Sequence, residues 1–303
     1  MHSDSTDHID NDPQRSTILI ALAAVYLSWG STYLAIKIAL TELPPLFMMG
    51  IRFFVFGIGF YIYLRLKGAP RPDRKEWMRS AIIGAFLMLG GSAGVAYAMR
   101  WVASGIAALV IATTPLWTVL FAGIWGRWPN RLEWAGLAVG LIGIVFLNFE
   151  GDLRASPVGT VLLVLAAMSW AFGSAWSRHL KLPNGMMAGA AQMITGGAVV
   201  LAVSFCLGER VSSLPSWSSV GAVLYLGIVG SLVGFPSYVY LLKRVRPALA
   251  TSYAYVNPVI AVTLGVLFAG ETISYIEIIA MAIIIVGVAL VAFGQRLERE
   301  AVV

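Results

Sequence analysis

Among the residues inside the long apolar runs of this chain are two prolines, three tryptophans and two cations that can each do what the residues around them cannot. A proline within a helix leaves the carbonyl four residues earlier without its backbone donor. Pro115 would free the Ile111 carbonyl and Pro258 that of Ala254, with Thr113 and Thr114 beside the first and Asn257 beside the second. Such a kink serves either packing or a substrate path. Trp29, Trp117 and Trp170 fall near the middle of their runs. An indole there suits an aromatic or apolar substrate, and it equally suits a packed core. Trp77, Trp101, Trp125, Trp128, Trp134 and Trp217 lie at run ends, as interfacial anchors do. Lys37 and Arg52 are the ionisable groups within runs, each at an insertion cost of about 2.5–3.5 kcal/mol. Lys37 is two residues from the end of its run and can snorkel. Arg52 is deeper, and can meet a substrate carboxylate or the helix ends around it.

The absences are as informative. No Asp or Glu occupies the middle of a run, so the usual proton-relay carboxylate has no candidate. An exporter of cationic drugs would want such an acid in the first run, which reads Ala24-Val-Tyr-Leu-Ser-Trp-Gly30. The histidines are His2, His8 and His179, two in a polar tail and one between runs, and Cys206 is the single cysteine. No acid–base pair, metal cluster, disulfide or cofactor motif follows, which argues against an enzyme.

The elements that must position these residues come from hydropathy. With 59% hydrophobic and 12% charged residues and a mean hydropathy of +0.82, the chain lies far outside soluble composition. Apolar runs at about 18–39, 45–66, 79–100, 103–125, 132–149, 157–179, 186–207, 217–242, 248–268 and 274–294 each suit a helix crossing roughly 30 Å of hydrocarbon. The expectation is an all-α polytopic membrane protein of ten helices. The acidic start, with Asp4, Asp7, Asp10 and Asp12, is unlike a cleavable secretory signal, so helix 1 should be retained.

Orientation follows from the basic residues. With the amino terminus in the cytoplasm, sixteen Lys and Arg fall on the cytoplasmic side, six of them between Arg65 and Arg79. Three, Arg100, Arg154 and Arg210, fall on the other. Both termini are therefore expected inside. The same bias accounts for the net charge of +6 without nucleic acid, because the cations sit in short interhelical loops that face solvent and anionic lipid.

Sliding the chain along itself by 143 residues pairs Gly84 with Gly227, Gly91 with Gly234, Tyr97 with Tyr240, Arg100 with Lys243 and Pro115 with Pro258. One more residue pairs Gly126 with Gly270, Glu133 with Glu277 and Gly143 with Gly287, and an offset of 141 pairs Trp29 with Trp170. Five helices per half, an odd number, put the second copy in the membrane upside down relative to the first, an arrangement suited to alternating access. Expected divisions are a tail at 1–16, repeats at 17–150 and 151–295, and a tail at 296–303. Pro236 lacks a proline partner in helix 3, where Ala93 stands, and suits a hinge in one half.

The chain resembles the EamA-type members of the drug/metabolite transporter superfamily. The likeness rests on Trp29-Gly30-Ser31 with Lys37, Arg52-Phe53, the Pro115 and Pro258 helices, and Gly270-Glu271 followed by Glu277. It departs at Arg127, which stands where the second half has Glu271. The resemblance implies ten helices in two five-helix domains and export of amino acids or other metabolites, the aromatic amino acid exporters being most similar. Other metabolites or drugs, and a channel, remain as alternatives. Candidate substrate-binding residues are Trp29, Ser31, Thr114, Pro115, Trp117, Trp170, Ser174, Tyr253, Asn257 and Pro258, with Lys37 and Arg52 as candidate charges. Tyr97 and Tyr240, near opposite mouths, are candidate gates or interfacial belt residues. A monomer in the cell inner membrane is expected, with a small-molecule substrate, lipid contact, no metal and no cofactor.

Overall fold

The computed structural model describes residues 13–126, 128–146, 156–244 and 253–300, so Arg127 and residues 1–12 of the amino-terminal tail lie outside the described residues. Ten helical segments follow one another among the described residues. They are α1 (Pro13–Ala39), α2 (Pro45–Leu66), α3 (Arg74–Ala98), α4 (Ser104–Trp125), α5 (Arg131–Phe146), α6 (Pro157–Ser177), α7 (Met186–Cys206), α8 (Trp217–Tyr225 continuing to Arg244), α9 (Tyr253–Ala269) and α10 (Tyr275–Glu300).

Eight of them are long and apolar enough to cross a bilayer. The described parts of α5 and α9, at 16 and 17 residues, are shorter than the expected spans 132–149 and 248–268, whose remaining residues lie outside the described ones. Several segments overrun their expected apolar spans, among them α1, which starts at Pro13 rather than 18, α3 and α10. Helix α3 starts five residues early because Asp73 accepts from the Glu76 N–H at 2.7 Å while Glu76 accepts from the Asp73 N–H at 2.9 Å. The Glu76 N–H holds the Asp73 carboxyl below its ordinary pKa. Helix α10 runs on past Gly294 through the polar residues to Glu300.

Acidic residues open helices throughout. Asn130 and Glu133 start α5 with reciprocal bonds, and their repeat partners Ser274 and Glu277 do the same for α10. Glu42 accepts from the Ser216 N–H and hydroxyl at the start of α8, and Glu209 accepts from the Leu46 and Phe47 N–H groups at the start of α2. These carboxylates meet N–H groups that a helix cannot satisfy itself, at the positive end of its dipole.

The packing has a rule. Helix α2 packs on α7 and α5 on α10, while α1 packs on α8 and α9 just as α6 packs on α3 and α4. Exchanging each helix with the one five places along reproduces these pairings. The self-paired contacts are close because glycines lie there: a methyl group added at Gly136 would lie 2.6 Å from the Gly287 carbonyl, and one at Gly197 would lie 2.5 Å from the Phe54 backbone nitrogen. Leu19, Ile20, Val55, Ile62, Leu267 and Phe268 are exposed on the outer surface, the signature of a face meant for hydrocarbon.

Candidate substrate pathway

Helices α3 and α8 are not regular. Each contains a π-helical stretch, Ala85–Ala93 in one and Leu226–Val233 in the other, at nearly corresponding positions under the 143-residue offset. Proline is not the common cause, since Pro236 follows the second stretch and Ala93 stands at its counterpart. What they share is an indole laid on a glycine. A methyl group added at Gly91 would lie 2.8 Å from the Trp170 ring, and one at Gly234 would lie 2.5 Å from Trp29 Nε1. The pairs Trp29/Trp170 and Gly91/Gly234, aligned only in sequence, thus form two equivalent contacts between halves. Ser169 Oγ donates to the Phe86 carbonyl at 2.8 Å inside the first stretch, and Trp29 Nε1 donates to the Gly230 carbonyl at 3.1 Å inside the second.

Trp29 and Tyr253 do come together. Their rings lie 4.7 Å apart, edge to face, and Tyr238 closes the cluster at 5.2 Å from Trp29 and 5.6 Å from Tyr253. Tyr238 carries no signal of its own in the sequence; it is found because α8 and α9 both pack on α1. Ser31 hydrogen-bonds with the Tyr225 hydroxyl at 2.6 Å and donates to the Leu27 carbonyl.

Thr114, Pro115 and Trp117 form a separate group. Helix α4 breaks at Ala112–Thr113 and restarts at Thr114, with Pro115 in the first turn, where its missing N–H costs nothing. Thr114 Oγ donates to the Ile111 carbonyl at 2.6 Å, satisfying the group that Pro115 leaves free. Trp117 is buried against Ala167 and Ala171 of α6, with Nε1 donating to Thr113 Oγ at 3.2 Å. In the other half α9 continues unbroken through Pro258, so the paired prolines have different consequences. Asn257 is buried beside Pro258, and its Oδ1 has no hydrogen-bond partner. Ser174 lies half-buried on α6, its carbonyl accepting from Ser177 Oγ at 2.7 Å.

The two tyrosines share an arrangement at distant positions. The Arg100 guanidinium lies 5.4 Å from the Tyr97 ring centre at the end of α3, and that of Arg244 lies 5.5 Å from the Tyr240 ring centre at the end of α8. Lys37 pairs with Glu271 at 3.8 Å. Glu271 also accepts from the Ser104 N–H at 2.8 Å and the Ser104 hydroxyl at 2.6 Å, so it closes α9 onto the start of α4. Arg52 is buried, its Nε donating to Ser231 Oγ at 3.3 Å.

Helices of membrane-crossing length, lipid-suited outer faces and two halves in equivalent mutual contact define a multi-pass membrane protein of the transporter class. The chain belongs to the EamA-like transporter family, whose model matches residues 15–149 and again 157–293. It is 45% identical over 91% of each chain to a protein of Escherichia coli strain K12 named as the uncharacterized inner membrane transporter YedA. It is 23% identical to a "probable amino-acid metabolite efflux pump" of Salmonella typhimurium, over 91% of this chain and 95% of that one. A "probable terminal-alkyne amino-acid exporter" of Streptantibioticus cattleyicolor is 25% identical, over 92% and 96%. A solved crystal structure shares the fold, with a TM-score of 0.65 and 24% identity over 93% of this chain and 99% of that one. The chain is thus a multi-pass inner-membrane transporter.

Proposed function

We propose that the protein exports neutral amino acids, aromatic ones among them, or related small metabolites, by alternating access between two inverted repeats of five membrane-crossing helices. The observation that carries this reading is the pair of equivalent contacts between halves, Trp29 on Gly234 and Trp170 on Gly91, each beside a π-helical stretch. Two symmetric contacts of one kind can exchange roles, one loosening as the other tightens, around a site near the midplane. Five helices per half place the two contacts toward opposite faces. Both termini then lie in the cytoplasm, and Trp29, Tyr238 and Tyr253 offer aromatic surface to a substrate. The relatives named as amino-acid exporters support the substrate class.

The test is counterflow in proteoliposomes loaded with unlabelled L-phenylalanine and given labelled L-phenylalanine outside. Transient accumulation of label above equilibrium is expected. A channel gives no such overshoot and an enzyme gives no uptake, so either result rejects the reading; parallel vesicles loaded with other neutral amino acids define the range.

A further inference from the structure

Arg52 of α2 is 7% exposed, and no carboxylate among the described residues pairs with it. Its contacts are few: Nε to Ser231 Oγ at 3.3 Å, Nη1 to the weak acceptor Met49 Sδ at 3.8 Å, and the Phe53 ring centre 4.9 Å from Cζ. A guanidinium carries five N–H donors and keeps its charge in any setting. Three of those donors have no acceptor among the described residues. A charge so far from water is normally paired with a carboxylate or turned onto backbone carbonyls, and in a bilayer the demand is stronger. Neither is found here, although the carbonyls of a π-helical stretch run alongside.

The guanidinium sits directly against the backbone of the second π-helical stretch. Nη2 lies where a side chain on Gly230 would stand, 2.7 Å from the position of a Cβ, so the missing side chain is what admits the guanidinium to α8. The carbonyl of the same Gly230 receives Trp29 Nε1 at 3.1 Å, and Trp29 holds Tyr238 and Tyr253 against it. One residue of α8 therefore has an under-coordinated cation on one side and a three-ring aromatic cluster on the other. We propose that Arg52 and Ser231 form a carboxylate-binding site, and that its ligands are monocarboxylates whose remaining body is apolar or aromatic. Two parallel N–H donors match the two carboxylate oxygens, while the rings of the cluster receive the body. The inference rests on the transporter reading for its physiological meaning, but binding is measurable without transport.

Titration of the purified full chain in nanodiscs with 3-phenylpropionate, L-phenylalanine and 2-phenylethylamine, followed by tryptophan fluorescence, tests it. The two carboxylates should bind about 10- to 100-fold more tightly than the amine, the range expected for a charge-assisted hydrogen-bonded contact. Arg52→Gln should remove that preference while leaving the amine unchanged, Arg52→Lys should keep part of it, and Ser231→Ala should weaken the carboxylates several-fold. Equal binding of acid and amine by the unaltered chain, or no binding of 3-phenylpropionate, overturns the proposal. So does an undiminished preference in Arg52→Gln, or in Ser231→Ala should the arginine variants not fold. Carboxylate binding without counterflow would sink the transport reading and leave the site standing.

Discussion

Glu271 and Ser104 are 167 positions apart in sequence and joined twice, the carboxylate accepting from both the N–H and the hydroxyl of the serine. This joins the loop after α9 to the first turn of α4 and so ties one half of the molecule to the other. The Lys37 contact at 3.8 Å, with the lysine 40% exposed, adds little, since exposed pairs contribute about 0–1 kcal/mol, whereas hydrogen bonds to a charged acceptor contribute about 1.5–3 kcal/mol. In the proposed orientation, with the termini inside, the tie would lie at the outer mouth and is expected to hold it closed. Glu271→Gln should raise the open population by about tenfold, from the lower of those energies. A cysteine at Leu109, buried one turn below in a Cys206→Ala background, would report this as about tenfold faster labelling by an impermeant maleimide from outside. Lys37→Met should barely change it. Unchanged labelling in Glu271→Gln would show that the tie is not a closure.

Orientation is tested with two exposed turns. Gly68, at the end of α2, and Leu214, before α8, should accept cysteines that label from opposite sides, position 68 only after the membrane is permeabilised. Labelling of position 68 in intact cells would invert the topology.

Proton coupling is a third question. Each acidic side chain described, from Glu42 and Asp73 through Glu133, Glu209, Glu271 and Glu277, accepts from an N–H at the start of a helix. Fixed at helix ends, such groups are poorly placed to carry protons through the hydrocarbon. Transport should therefore follow the substrate gradient. Vesicles given a pH difference and no substrate gradient should show no accumulation, and accumulation there would contradict this.

The tyrosines give a fourth. If Tyr97 and Tyr240 are equivalent gates, Tyr97→Ala should bias the protein toward opening outward and Tyr240→Ala toward opening inward, because each loses closing contacts at one mouth. A cysteine at Ser174, in the Cys206→Ala background, should then label several-fold faster from outside in the first variant and from inside in the second. No change in either, with folding intact, would make them interfacial residues carrying an arginine on the ring.

The apolar runs and the matched Trp, Gly and Glu positions were legible in the sequence, because helix length and internal repetition are local or periodic properties, whereas the Asp73 cap was not read there and α3 was expected to start five residues too late. A freed carbonyl was expected at both prolines, but not the break in α4 nor its contrast with the unbroken α9. The residues that converge on Gly230 were beyond reach. Trp29, Arg52, Tyr238 and Tyr253 lie on four different helices, and the π-helical stretches that bring them together have no propensity signature in an apolar run. Glycine could be seen in the sequence, but not which ring or guanidinium would occupy the space it leaves. That was decided only when the halves packed against each other, since the close approach of two helices is a property of both surfaces and of neither alone.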